Sequence, residues 1–244
     1  MAEEKAVVER ISTGIEGLDY LLCGGIPQRS QVLLVGDVGS GKTLMSFEIA
    51  YKNARKGIPV TYLTIEENKK ALVSFVVSTF TGFTDANDLI DSKKINIEEK
   101  KLQYAIRSPE NIQAIVADLI RTAEKNESKL LIIDSFSLLR SLYPDDRSFT
   151  RGINYIVESI RNQDVTSIMT FESSEKSLEK APGLFEESMF DGIIRLSRTI
   201  SEGEAKYVIS VVKMRYSQFK STLSPLAITP AGIVVKITGE AAKV

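Results

Sequence analysis

Eight residues constrain this chain more than any others: Gly36-Asp37-Val38-Gly39-Ser40-Gly41-Lys42-Thr43. They fit G-x-x-x-x-G-K-[ST], the phosphate-binding P-loop, which requires a strand before it and a helix after it. Gln31-Val32-Leu33-Leu34-Val35 is a short apolar run that reads as a buried strand. Leu44, Phe47, Tyr51 and Ala54 then recur at near-helical spacing, and Gly57 supplies a stop. The glycines let the backbone turn its N–H groups inward, and the helix N-terminus adds a dipole that favours negative charge. The expected phosphate cradle is Asp37, Val38, Gly39, Ser40, Gly41, Lys42, Thr43 and Leu44. In it Lys42 reaches the β- and γ-phosphates of ATP, and the Thr43 hydroxyl is a ligand for Mg²⁺. The competing reading is a glycine-rich turn that happens to contain Lys-Thr.

The remaining pattern alternates strand and helix, which points to an α/β fold with a mainly parallel sheet. Pro59 to Ile65, Leu130 to Ile133 and Val165 to Phe171 read as strands, and Lys94 to Glu98 as an edge strand. Asn68 to about Thr81 reads as a helix. Another opens at Ser108-Pro109-Glu110, a cap followed by a first-turn proline and an acid, with Ile112, Ile115, Val116, Leu119, Ile120 and Ala123 on one stripe. Ile153, Ile156, Val157 and Ile160 form a further helical stripe. Toward the C-terminus the pattern becomes antiparallel: Ile193–Arg198, Tyr207–Met214, Leu226–Thr229 and Ile233–Ile237, with turns at Glu202-Gly203 and Pro230-Ala231-Gly232. Without repeats or proline-rich linkers, residues 1–244 read as one domain.

Composition narrows the chemistry. With 31 basic and 32 acidic residues the net charge is −1, so nothing global favours nucleic acid or an anionic membrane. One cysteine rules out an internal disulfide framework and fits a reducing cytoplasm. The charged start Met1-Ala2-Glu3-Glu4-Lys5 is not a signal peptide, and no apolar run is long enough to span a membrane. There is no histidine, so a general base must be a carboxylate and a metal is expected to be Mg²⁺ on oxygen ligands. Asp134 closes the Leu130–Ile133 strand, where an acid faces the ligand crevice and can hold Mg²⁺; alternatively it caps the next helix. Glu66 and Glu67 close the strand at Ile65, where a carboxylate can activate the attacking water; a solvated helix start fits them equally. Adjacent residues on an extended chain point opposite ways, so only one of the two can aim at the water.

Ser12-Thr13-Gly14-Ile15-Glu16-Gly17-Leu18-Asp19, then Cys23-Gly24-Gly25-Ile26-Pro27, resembles the segment that precedes the P-loop strand in KaiC-like ATPases of the RecA-type group. The resemblance continues in order through Tyr62–Glu67, Ile132–Ser135, Thr170–Glu172, Phe190–Ile194 and Val212–Arg215. It covers nearly the whole chain and matches a single KaiC-like domain. The clock protein has two in tandem, so a circadian phosphorylation cycle is not implied. The resemblance implies a RecA-like fold, with Glu66 and Glu67 as catalytic glutamates and Asp134 on the Mg²⁺ side. It also implies that Lys213 and Arg215 are the Lys-x-Arg reaching the γ-phosphate on the neighbouring subunit of a homo-oligomeric ring, usually a hexamer. Such a cation is an arginine finger supplied in trans. The plain alternative is two exposed charges on one face of a strand.

Three positions depart from the family pattern: Cys23 stands where glycine is usual, and Tyr216 and Phe219 replace a glycine and a histidine. Cys23 is expected to be a small buried hydrophobe. The functional expectation is an ATP-binding, Mg²⁺-dependent ATPase acting as a ring-forming switch or regulator, with a client the sequence does not name. One alternative is a RadA-like recombinase paralogue acting on DNA through loops at Ser141–Gly152 and Glu172–Asp191. The second of these carries six carboxylates against two lysines, net −4, which opposes phosphate. The other alternative is an ATP-gated scaffold with negligible turnover, in the manner of an archaellum component.

Overall fold

The computed structural model describes residues 8–65, 67–100, 110–172, 187–201 and 204–237. Strand β1 (Arg10–Ile11) and helix α1 (Glu16–Leu21) lead to β2 (Ile26–Pro27), which pairs antiparallel with β1. Next come β3 (Gln31–Gly36), α2 (Lys42–Arg55), β4 (Val60–Thr64), α3 (Lys69–Thr79), α4 (Ala86–Asp91) and β5 (Ile95–Glu99). Helix α5 (Glu110–Lys125), β6 (Leu130–Asp134), α6 (Asp146–Arg161) and β7 (Thr166–Glu172) follow. The chain closes with β8 (Gly192–Ser201), β9 (Glu204–Met214), β10 (Ser224–Thr229) and β11 (Gly232–Val235).

Nine strands form one sheet in the order β11-β10-β9-β8-β3-β7-β6-β4-β5. The pairs among β3, β4, β5, β6 and β7, and β3 with β8, are parallel. Those from β8 outward to β11 are antiparallel. A strand buried on both faces is apolar at every position, and its alternate side chains feed two cores. Val32 and Leu34 of β3 enter one core with α1 to α4, while Leu33 and Val35 enter the other with α5 and α6. In the same way Leu130 and Ile132 of β6 part from Leu131 and Ile133.

The capping chemistry explains where the helices begin. Asn68 Oδ1 accepts from Ala71 N–H at 2.8 Å to start α3, and Asp145 Oδ1 accepts from Ser148 N–H at 2.8 Å to start α6. Ser108, Pro109 and the Glu202-Gly203 turn lie outside the described residues, as do the side chains of Ile112, Ile115 and Val116.

The fold corrects two expectations. The stretch Ser141–Gly152 is not a loop: a 3₁₀ helix covers Phe136–Leu142, and α6 has begun by Asp146, started by the Asp145 cap. Cys23 is exposed, not buried, and its φ is 53°. That left-handed backbone suits glycine, and the Cys23 side chain stays out of the core.

Candidate functional site

The carboxyl ends of β3, β4, β6 and β7 lie at one edge of the sheet, as the registers Gly36↔Glu172 and Thr64↔Asp134 show. Strands β7 and β6 insert between β3 and β4, and the helices that follow β3 and β6, α2 and α6, pack into opposite cores. An open parallel sheet has its ligand crevice at such a point. Here it is a cleft of about 350 Å³. The P-loop forms one wall through Val38, Gly39, Gly41, Lys42, Thr43 and Leu44. Glu67, Asp134, Ser135 and Glu172 face it, and Phe75, Phe80 and Ile228 add an apolar side.

The loop glycines are required for different reasons. A Cβ on Gly36 would lie 2.4 Å from the Leu196 carbonyl of β8, so its demand is steric. Gly41, the N-cap of α2, has φ 95°, a conformation L-residues rarely adopt. The Lys42 ammonium bridges the loop, donating to the Gly36 and Asp37 carbonyls at 2.8 Å each. Asp37 and Ser40 build the loop from behind: Ser40 N–H donates to Asp37 O at 3.2 Å. The buried Ser40 hydroxyl has no hydrogen-bond partner among the described residues.

Asp134 is buried, and hydroxyls fill one position on each of its oxygens. Tyr62 OH donates to Oδ2 at 2.8 Å and Thr170 OH to Oδ1. Burial, and then the neighbouring Asp134 charge, push the Tyr62 phenol well above its usual pKa, so it stays a neutral donor. Tyr62 also bonds the Ser46 hydroxyl at 3.0 Å, and Ser46 donates to Thr43 O at 3.0 Å. A continuous hydrogen-bonded path therefore fixes Asp134 against the first turn of α2. Capping of the next helix falls to Ser135, whose Oγ accepts from Ser137 N–H at 3.1 Å. Glu67 reaches the cleft and its carbonyl accepts from Thr64 OH at 2.6 Å, while Glu66 lies outside the described residues.

The donor set fits a nucleotide with Mg²⁺. The loop offers amides and an ammonium to phosphates, and an unsatisfied buried hydroxyl sits inside it. Thr43 and Asp134 offer hard oxygens in the same cleft. The sequence reading gave no site role to Ser46, Tyr62, Thr170, Ser135 or Glu172, although all but Ser46 lie in segments that carry the resemblance. Thr170 and Glu172 carried the signal that marked Asp134, a polar residue at the carboxyl end of a parallel strand.

Lys213 and Arg215 are elsewhere. Met214 pairs with Gly192, and Gly192 with Val32, so the end of β9 lies at the amino edge of β3. Four strand steps separate Val32 from Gly36, about 13 Å at 3.3 Å per residue. A register shift between Ile193 and Ile194 leaves Val212 as an extra residue in β9. Ile209, Val211 and Met214 enter the core, whereas simple alternation would have sent Lys213 there. The bulge instead lets the Lys213 ammonium donate to Phe190 O at 2.7 Å. Asp191, placed by the sequence reading in an acidic loop, is in fact 3% exposed and accepts from Gln31 N–H at 2.9 Å, so it presents no charge to a passing phosphate. The loop residues 173–186 lie outside the described residues.

Comparison with known proteins shows the family and the fold. The family model described as "ATPase: KaiC" matches residues 11–240. A UPF0273 protein of Thermotoga maritima is 30% identical over 251 residues, covering 94% of this chain and 96% of that one. The circadian clock protein KaiC2 of Synechocystis is 28% identical, covering 91% of this chain but 39% of its own length. The crystal structure of a KaiC-like protein from Pyrococcus horikoshii superposes with a TM-score of 0.82 at 28% identity, over 95% of this chain and all of that one.

Proposed function

Because the chain belongs to the KaiC ATPase family, we propose that it binds Mg-ATP in the cleft at the carboxyl edge of the sheet and hydrolyses it slowly, as one subunit of a cytoplasmic homo-oligomeric ring serving as a switch or regulator. The observation that carries this reading is the convergence, in one cleft, of the P-loop with Glu67 and Asp134. The loop amides and Lys42 hold the phosphates. Thr43 and Asp134 hold Mg²⁺, which supplies neutralisation of phosphate charge. Glu66 or Glu67 orients and deprotonates water, a role worth about 10²–10⁴ in rate. Phe75, Phe80 and Ile228 line the remaining wall. Lys213 and Arg215, at the opposite edge, serve the nucleotide of a neighbouring copy, where a finger is worth about 10³–10⁵.

A low-turnover scaffold is the second reading. It is favoured by Tyr216, which holds left-handed backbone (φ 60°) beside Arg215 and stiffens the loop after it. Size determination with and without Mg-ATP, with phosphate release measured on the same sample, tests both. The expected result is a larger species with ATP and measurable release. Tight ATP binding with negligible release would select the scaffold. Lys42→Ala is expected to weaken nucleotide binding severely and abolish release; wild-type affinity in that variant would make the loop a structural turn.

A further inference from the structure

The amino edge of the sheet holds a cluster of charge that nucleotide binding within one subunit leaves unexplained. Four consecutive backbone carbonyls accept from the neighbouring cations and their backbone. Ser188 O accepts from the Arg215 guanidinium at 2.9 Å, Met189 O from that of Arg161 at 2.7 Å, and Phe190 O from Lys213 Nζ at 2.7 Å. Asp191 O accepts from Arg215 N–H at 2.7 Å. At the centre is the Asp191 carboxylate, with its side chain only 4% exposed. It lies 3.3 Å from Arg161 and 3.6 Å from Arg215, besides its bond from Gln31 N–H.

A carboxylate this buried is costly unless charges and donors surround it. Arg161 is spoken for: it sits in the last turn of α6, also bonding Met189 O and pairing with Glu158. Arg215 differs, because its side chain remains 42% exposed although its backbone and one edge of its guanidinium are fixed. The result is a long cation anchored on one side and open on the other. Fixing such a side chain during folding removes the rotamer entropy it would otherwise lose when it meets a phosphate. The β9 bulge at Val212 contributes by sending Met214 into the core and leaving Lys213 and Arg215 on the side of Asp191.

We propose that Asp191 is a positioning residue for the finger: with the Ser188–Phe190 carbonyls it sets where Arg215 stands when a second copy of this chain presents its nucleotide. The inference rests on the trans role proposed above for Arg215. Asp191 does not touch that nucleotide, so its effect must pass through Arg215 alone.

A double-mutant cycle on turnover tests this. Asp191→Asn keeps the shape and the acceptor for Gln31 N–H and removes the charge. In the Arg215 background it is expected to lower turnover by about 10–100-fold, the size of effect that a misplacement of about 1 Å produces. In an Arg215→Ala background it is expected to change turnover less than about twofold. Affinity for a fluorescent ATP analogue should stay within about twofold in all four proteins, because the cleft is at the other edge. If Asp191→Asn does not fold, Asp191→Glu, which keeps the charge and shifts it by one methylene, carries the same cycle. Equal losses in both backgrounds would make Asp191 merely structural and overturn the inference while sparing the finger. No loss in the Arg215 background would overturn it too. Wild-type turnover in Arg215→Ala would overturn the finger itself, and the positioning role with it.

Discussion

Five described non-glycine residues hold left-handed backbone that suits glycine, among them Cys23 at φ 53° and Tyr216 at φ 60°, both exposed. The left-handed conformation costs an L-residue about 1–2 kcal/mol. Glycine would remove that cost but adds about 0.4–1 kcal/mol of unfolded-chain entropy. Strain wins by this comparison, so Cys23→Gly and Tyr216→Gly should each raise stability by roughly 0.5–1 kcal/mol. Denaturant titration reads the change, and a loss of stability in either variant would mean its side chain makes contacts worth more than its strain. The glutamates after β4 act at the same scale. Glu66→Gln with Glu67→Gln removes charge and keeps shape, so ATP should remain bound while release slows by about 10²–10⁴. Hydrolysis near the wild-type rate would reduce the pair to a polar helix start.

Among elements, α2 and the β10–β11 hairpin form a unit. Glu48, on the buried face of α2, accepts from Ile233 N–H at 2.7 Å, and Thr81 N–H donates to Pro230 O at 2.7 Å at the hairpin turn. Ile228 of β10 stands over Gly41, where an added Cβ would meet it at 3.2 Å. The helix that carries the P-loop is thereby tied to the strand that closes the cleft. Burial raises the Glu48 carboxyl above its ordinary 4.5, against the pull of Ile233 N–H and Lys52. A carboxyl raised on folding binds its proton more tightly in the folded chain. Its contribution to stability is full below the unfolded pKa and is lost as pH rises through the folded one. Glu48→Gln keeps an acceptor and has no charge to bury. Its Tm should exceed that of the parent at about pH 8, with the advantage vanishing below about pH 4. A constant Tm difference across that range would show that the Glu48 charge is not the cause.

On the scale of the whole molecule, the sheet separates two chemistries. The carboxyl edge holds the P-loop, Glu67 and Asp134, while the amino edge holds Lys213, Arg215 and Asp191. Strand geometry keeps Arg215 out of reach of its own P-loop, so a catalytic Arg215 must meet the nucleotide of another copy. Lys42→Ala subunits should be inactive and Arg215→Ala subunits reduced to a residual turnover, for different reasons. When mixed, some interfaces pair an intact loop with an intact finger, and activity should partly return. Absence of recovery in assemblies shown to be mixed would sink the trans assignment.

Local chemistry made much of this legible before any coordinates. Gly36–Thr43 and the alternating apolar runs act within a few residues of themselves, so the strand–loop–helix unit, the parallel sheet and its antiparallel edge could be read directly. Asp134 was found because a polar residue ending a buried strand has few places to go. What sequence spacing could not carry was anything decided by distant neighbours. The path from Thr43 through Ser46 and Tyr62 to Asp134 joins α2, β4 and β6. The burial of Asp191 depends on Gln31 and Arg161, far away in the chain, and Lys213 points as it does because β9 gains one residue against β8. Hydrophobic period and turn chemistry are properties of a segment, and the sequence alone determined those. Register, bulge and buried charge are properties of how segments meet, and only the tertiary structure decided them.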